Sequence, residues 1–181
     1  MSPVYDVPRE QGMRTPRWLF KLLEKTLGCR FALDAFASDT NALCRRYYTE
    51  RDNGLERPWF DATFANPPFK LMGKAMAKAF YEADDRGVRS AVIGPTGCSQ
   101  RWFHEIAVCG TILVPDHRLV YLNPDGATTA GAMADTAIYV FGQAWSRAVG
   151  DLLIDEFRVR ALNVPDAPGQ RAAAARAGGR S

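Results

Sequence analysis

The chain has 181 residues, which fits one domain with room for a proper core and leaves a second folded domain unexpected. A formal charge of +3 excludes a strongly basic or acidic body, yet the last eleven residues hold Arg171, Arg176 and Arg180 and no acid, an end that suits a polyanionic partner weakly. Cys29, Cys44, Cys98 and Cys109 lack close paired spacing and His104 and His117 join them in no ligand pattern, so no metal site is expected. Neither a charged-then-apolar leader nor an apolar stretch of spanning length is visible, which points to a cytoplasmic protein with reduced thiols and no membrane partner.

Thr15-Pro16 opens the first element. Trp18, Leu19, Leu22, Leu23 and Leu27 recur at helical spacing and the run stops at Gly28, with Thr15 a good N-cap and Pro16 a good first helical residue. Residues 30–37 read as a short buried strand that runs into a small-residue turn and carries Asp34 at its carboxyl end. Tyr47-Tyr48-Thr49 reads as a second strand, followed by Glu50, Asp52 and Asn53-Gly54 in a turn. The apolar run Ala62-Thr63-Phe64-Ala65 is the next strand and leads straight into Asn66-Pro67-Pro68-Phe69.

Residues 71–86 predict an amphipathic helix, with Leu71, Met72, Ala75, Met76, Ala79 and Phe80 on one face. Lys70, Lys74 and Lys78 form another face, solvated by default, with phosphate contact as the alternative. Residues 89–93 predict a strand that stops at Gly94-Pro95-Thr96-Gly97, and Ser99 can cap a helix over 100–108. Residues 111–114, 119–122 and 136–141 read as further strands; the glycines from Gly126 to Gly131 suggest mobility or a plain connection, and the Ala- and Gly-rich run over 172–179 has little to bury and reads as a frayed tail. Alternation of strands and helices indicates an α/β protein with a largely parallel sheet.

The tetrapeptide Asn66-Pro67-Pro68-Phe69 suits methylation of an amino group. An adenine amine is a poor nucleophile because its lone pair is delocalised into the ring. A catalyst must therefore accept its hydrogens and aim the pair at a methyl donor. The Asn66 side-chain oxygen and the Pro67 carbonyl are candidate acceptors on a stiff backbone, and Phe69 can stack on a base that has left the duplex. The plain alternative is a rigid turn closing a strand. An Asn-Pro-Pro-aromatic run arises by accident in on the order of one in several hundred chains of this length. In a parallel sheet ligands bind beyond the carboxyl ends of the strands, which would gather Asp34, Glu50 or Asp52, Asn66 and Pro95 on one rim. Carboxylates there can accept hydrogen bonds from the ammonium, ribose and adenine amine of a donor such as S-adenosylmethionine, although Asp34 could cap a turn and Asp52-Asn53-Gly54 is also an ordinary turn signal.

In the order of these segments the chain resembles the phage-type DNA adenine methyltransferases related to Dam over roughly residues 14 to 142. The resemblance rests on Thr15-Pro16-Arg17-Trp18-Leu19-Phe20, on Phe31-Ala32-Leu33-Asp34-Ala35-Phe36-Ala37, and on Asn41-Ala42 with Tyr47-Tyr48-Thr49-Glu50-Arg51-Asp52-Asn53-Gly54-Leu55. It is completed by Trp59, Asn66-Pro67-Pro68-Phe69, Gly94-Pro95-Thr96 and Trp102-Phe103. It implies a Rossmann-like methyltransferase sheet, mostly parallel, with helices on both faces. It also implies S-adenosylmethionine as cofactor, double-stranded DNA as partner and transfer to the N6 amine of adenine by a monomer, in the host cytoplasm if phage encoded. The catalytic motif falls on Asn66, Pro67, Pro68 and Phe69. The donor-binding segment falls on Asp34, Ala35 and Phe36 with Glu50 and Asp52, and Thr15 and Pro16 come near the methionine end. Domain bounds follow: an N-terminal extension over 1–13, the methyltransferase domain over 14–160 and a basic tail over 161–181. Ala35-Phe36-Ala37 replaces the glycine-rich loop common among methyltransferases, and Phe69 stands where many relatives carry Tyr. The alternatives are transfer to RNA adenine or a protein glutamine amide, and a degenerate DNA-binding protein without chemistry.

Overall fold

A computed structural model describes residues 13–115, 118–123, 126–128 and 135–142, and the backbone of 159–161. The expected N-terminal extension and basic tail, save Met13 and Ala161, and residues 129–131 of the glycine-bearing loop lie outside the described residues. In chain order the elements are α1 (Arg17–Thr26), β1 (Leu33–Asp34), β2 (Thr63–Ala65), α2 (Met72–Arg86), β3 (Ser90–Pro95), α3 (Arg101–Glu105), β4 (Thr111–Pro115), β5 (Thr136–Phe141) and β6 (Val159–Ala161). Short 3-10 turns occupy Phe69–Leu71 and Ala107–Cys109.

The strands form one sheet in the order β1-β2-β3-β5-β4-β6. β1 with β2 and β2 with β3 are parallel, whereas β3 with β5, β5 with β4 and β4 with β6 are antiparallel. The fold is mixed α/β, and the expected largely parallel sheet is corrected: three of these five pairings run against each other. A parallel neighbour needs a crossover, usually a helix, that carries the chain back to the starting edge. Between β4 and β5 the described residues hold no helix. Leu122 instead makes single antiparallel bridges to Arg14 and Thr128, and the chain re-enters the sheet running down. Residues 119–122 are therefore not a strand of the sheet, and the predicted strand at Tyr47 is one parallel bridge to Asp34.

Side chains alternate across the sheet, and each face has its own core. Phe64, Ala91, Ile93, Ile138 and Val140 pack with Leu19, Phe20 and Leu23 of α1 and with Leu27 at its C-cap. Ala65, Val92, Ala137 and Tyr139 pack with Met72, Met76 and Ala79 of α2, and Trp102 and Phe103 of α3 lie against the same cluster. Helices thus cover both faces, as expected. Phe20, Phe31 and Phe64 form an aromatic triad with ring centroids 5.2 to 5.5 Å apart, each pair contributing about 0.5–1.5 kcal/mol beyond area burial. That triad clamps α1 onto the strand that ends at the Asn66 motif.

Three local expectations change. α1 has Pro16 as its N-cap with no side-chain cap, so Thr15 does not cap it and Pro16 is not its first helical residue. Its other end closes as predicted: Gly28, at φ +59°, sends its N–H to Lys25 while Cys29 bonds Glu24, the Schellman pattern that a residue without Cβ adopts at no steric cost. Trp18, assigned to the apolar stripe, is 50 % exposed. Ser99 caps nothing, since α3 starts from Gln100 without a side-chain cap and runs only five residues.

Candidate active site

A cavity of about 600 Å³ opens beyond the carboxyl ends of β1 and β2. This is the size range of sites for small molecules and cofactors. Local chemistry explains its position. β1 is only two residues long because Phe36 N–H turns back to Asp34 Oδ1 at 3.4 Å, an Asx-type turn that ends the strand. The parallel ladder to the Tyr47 segment (Asp34 N–H to Arg46 O, 3.0 Å; Tyr48 N–H to Asp34 O, 2.9 Å) then brings Thr49 and Glu50 to the same rim.

Asn66, Pro67, Pro68 and Phe69 all line this cavity. Asn66 is the first residue after β2, and its Nδ2 donates to Thr15 Oγ1 at 2.9 Å. The amide is held by its nitrogen, so Oδ1 is the end left to act as an acceptor. Pro67 is buried and Pro68 starts the 3-10 turn, in which Leu71 N–H bonds Pro68 O at 2.8 Å. Two prolines in succession fix φ twice and remove two donors, which stiffens the stretch carrying the acceptors.

Asp34 is the buried acid of the site, 3 % exposed. Besides Phe36, Leu43 N–H donates to its Oδ2 at 3.1 Å. Burial pushes its carboxyl up to about 6, against the opposing pull of the Leu43 and Phe36 N–H groups. Ala35 and Phe36 line the cavity beside it, as does exposed Glu50. Asp52 is not among the lining residues: its Oδ2 accepts from Thr49 N–H (2.8 Å) and Thr49 Oγ1 (2.7 Å), which holds it in the turn between Thr49 and Gly54. Pro16 and Pro95 are likewise not among the lining residues. Pro95 O instead accepts the Tyr139 hydroxyl at 2.7 Å.

The wall beyond Glu50 is fixed by a chain of contacts reaching α2. A Cβ on Gly54 would overlap the Ala35 carbonyl oxygen and press on its carbon at 3.2 Å, so the two segments meet backbone to backbone. Gly54 O accepts from Trp59 Nε1 at 2.8 Å, and Trp59, fully buried, sends its own N–H to Glu82 Oε1 at 3.1 Å. Burial alone would raise the Glu82 carboxyl, but the bonds from Lys78 and Trp59 and the charges of Lys78 and Arg86 hold it below its ordinary value. Lys78 is therefore tied to Glu82 at 2.7 Å and drops out of the expected lysine row, whereas Lys70 lines the cavity.

Sequence reasoning missed Arg14, Leu43 and Tyr121, which also line the cavity, and the anchor at Glu82. No local signal marks Tyr121, whereas a lone Glu on the apolar side of α2 was a readable anomaly. Among the described residues no group of His, Cys, Asp or Glu could hold a metal ion, and no helix is long and apolar enough to cross a membrane. All four cysteines are free, and burial pushes the Cys29 thiol to about 11 and the Cys44 thiol to about 12, so neither offers a thiolate.

The mixed α/β sheet thus carries, at its parallel end, a cavity of small-molecule size lined by an amide on a double-proline turn and by a buried acid. The chain belongs to the DNA N-6-adenine-methyltransferase (Dam) family, whose profile matches residues 6–159. It is also similar to the DNA N-6-adenine-methyltransferase of Escherichia phage T1, with 30% identity over 93 residues. That match covers 50% of this chain and 38% of the phage T1 protein.

Proposed function

We propose that this chain transfers a methyl group from S-adenosylmethionine to the exocyclic N6 amine of adenine in double-stranded DNA. The observation that carries this reading is the Asn66 amide, fixed through its nitrogen and set with Pro67 and Phe69 on the cavity that Asp34 also lines. Family membership narrows the acceptor to adenine and the substrate to DNA. The sheet supports a Rossmann-like reading in its parallel half, β1 to β3, with β5 and β6 running against the rest. Residues 14–160 are taken as the methyltransferase domain. The T1 relative supports a phage or prophage origin, and with it action in the host cytoplasm.

The cavity fits the donor on two grounds. Its volume suits a nucleoside-sized ligand. Asp34 is a buried carboxylate whose largest perturbation is burial, so a cationic ligand group beside it would relieve that penalty. Asp34, Glu50 and the backbone around Ala35 and Phe36 would hold S-adenosylmethionine, which supplies an electrophilic methyl group when bound. Asn66 Oδ1 accepts one amine hydrogen of the base and the Pro67 carbonyl the other. Both stabilise positive charge developing on nitrogen, and they do so without reorganising because the double-proline turn and Thr15 hold them in place. Phe69 stacks on the flipped base, whose extraction costs a few kcal/mol. Orientation of the amine in a near-attack geometry lowers the remaining barrier.

The test is methyl transfer from labelled S-adenosylmethionine to unmethylated DNA, read by nucleoside mass spectrometry, with Asn66→Ala as control. N6-methyladenine that depends on Asn66 is expected. Donor binding without a methylated base in DNA would overturn the substrate and turn the search to RNA or glutamine amides, and absence of donor binding would favour a non-catalytic protein.

A further inference from the structure

We infer that Thr15 is a positioning residue for Asn66, acting through the side-chain amide. This inference rests on the methylation reading above. An asparagine amide presents an acceptor on one side and a donor on the other, and rotation by half a turn would aim Nδ2 at a substrate amine and repel it. A partner on one end holds the amide where it stands, accepting from Nδ2 and leaving Oδ1 as the open acceptor. Thr15 Oγ1 is that partner at 2.9 Å, across 51 residues of sequence.

Two features show that the hydroxyl is held for this role. Thr15 is only 7 % exposed and stands one residue before the N-cap of α1, outside the position from which a Thr caps a helix, and its hydroxyl is met by Asn66. The residue is also braced from both sides. Arg14 exchanges backbone bonds with Leu122 (2.7 and 3.0 Å) and reaches Thr40 Oγ1 with its guanidinium at 3.2 Å, while Pro16 O accepts the first helical bond, from Phe20 N–H at 3.2 Å. Phe20 belongs to the aromatic triad whose Phe64 lies two residues before Asn66. The strap from Arg14 to Pro16 and the strand bearing Asn66 are thus one packed unit.

The experiment compares wild type, Thr15→Val, Thr15→Ser, Asn66→Ala and the Thr15→Val/Asn66→Ala double variant. For each, kcat, KM for DNA and S-adenosylmethionine affinity by calorimetry are measured, and in the cofactor-free protein the side-chain amide of Asn66 is followed by ¹⁵N NMR. Thr15→Val is expected to lower kcat by about tenfold with donor affinity unchanged, a loss of the kind that misplacing a reacting group produces. Thr15→Ser should restore it to near wild type, and Thr15→Val should add no loss in the Asn66→Ala background. The Asn66 amide protons should exchange slowly in wild type and Thr15→Ser and quickly in Thr15→Val. A Thr15→Val protein that keeps kcat, or that loses donor affinity instead, overturns the inference, as does failure of Ser to rescue or an Asn66 amide unchanged by Thr15→Val. Wild type that methylates no DNA but shows the NMR pattern would overturn the substrate reading and uphold the Thr15–Asn66 link.

Discussion

If Asp34 holds the ammonium of the donor, binding must weaken in acid, and the size of the effect follows from its surroundings. Burial sets the carboxyl at about 6, above an ordinary 3.8, because its two N–H partners do not fully replace water. Between those values the folded protein binds more protons than the unfolded chain. Asp34 thus contributes stability that is full below about 4 and lost as pH rises through about 6, worth on the order of 3 kcal/mol over that window. The neighbouring Cys44 thiol stays neutral throughout.

A cationic ligand group reverses the preference, since only the ionised carboxylate attracts it. At pH 5 about one molecule in eleven has Asp34 ionised, so donor affinity should be about tenfold weaker than at pH 8. Calorimetry at pH 5, 6, 7 and 8 measures this. Repeating the pH 6 titration in buffers of different ionisation heat should reveal proton release on binding. Asp34→Asn should remove the pH dependence and bind at the weak level throughout. Affinity that stays flat from pH 5 to 8 in wild type would refute the reasoning.

Asn66→Ala should keep the fold and the donor affinity while lowering kcat by roughly 10²- to 10³-fold, the loss typical of one transition-state hydrogen-bonding group; steady-state kinetics and a thermal melt check both halves. Phe69→Ala should raise KM for DNA by roughly 5- to 150-fold through lost stacking, worth about 1–3 kcal/mol per base, while Phe69→Tyr stays close to wild type. Lys70 and Lys74 are exposed and, among the described residues, carry no ion pair. Replacing either with Gln should weaken DNA binding evenly across sequences and reduce the slope of log K against log salt by about 1, whereas Lys78→Gln should leave that slope alone and cost stability through Glu82. Gly54→Ala should lower the melting temperature and the donor affinity together, because its Cβ meets backbone at Ala35 and overpacking costs about 1–3 kcal/mol; unchanged values of both would show that this wall can yield.

The legible parts of the fold were those written in local pattern. Buried positions of α1 and α2 followed the helical period, β5 fell on the predicted residues 136–141, and the double proline marked its own turn. Partners distant in sequence were not legible. Thr15 has the composition of an N-cap, and nothing near it says that a side chain 51 residues away takes its hydroxyl. Asp52 and Asp34 look alike as acids after short strands, yet Thr49 draws one into a turn and burial keeps the other at the cavity. The direction of β5 was not written in its own residues: among the described residues the connection from β4 holds no helix, and Leu122 pairs with Arg14.

The misread sheet did not displace the site, and the topology explains why. Asp34 in β1 bonds the Tyr47 segment on one side and β2 on the other. The chain leaves β1 outward to Tyr47 and then returns inward to β2. At such a reversal of direction the loops after neighbouring strands part company and leave a crevice between them. Asp34 at the end of β1, Asn66 after β2 and Glu50 after the outward excursion all line the cavity there. The antiparallel pairs begin only beyond β3, so Asp34 and Asn66 lie on the parallel part of the sheet. What the far half supplies is Leu122, which holds Arg14 and so fixes the strap that carries Thr15 to Asn66. If Asn66 carries the transfer, the reaction rests on the parallel edge of the sheet, and the Thr15 bond to its amide rests on the Leu122 pairing that follows β4.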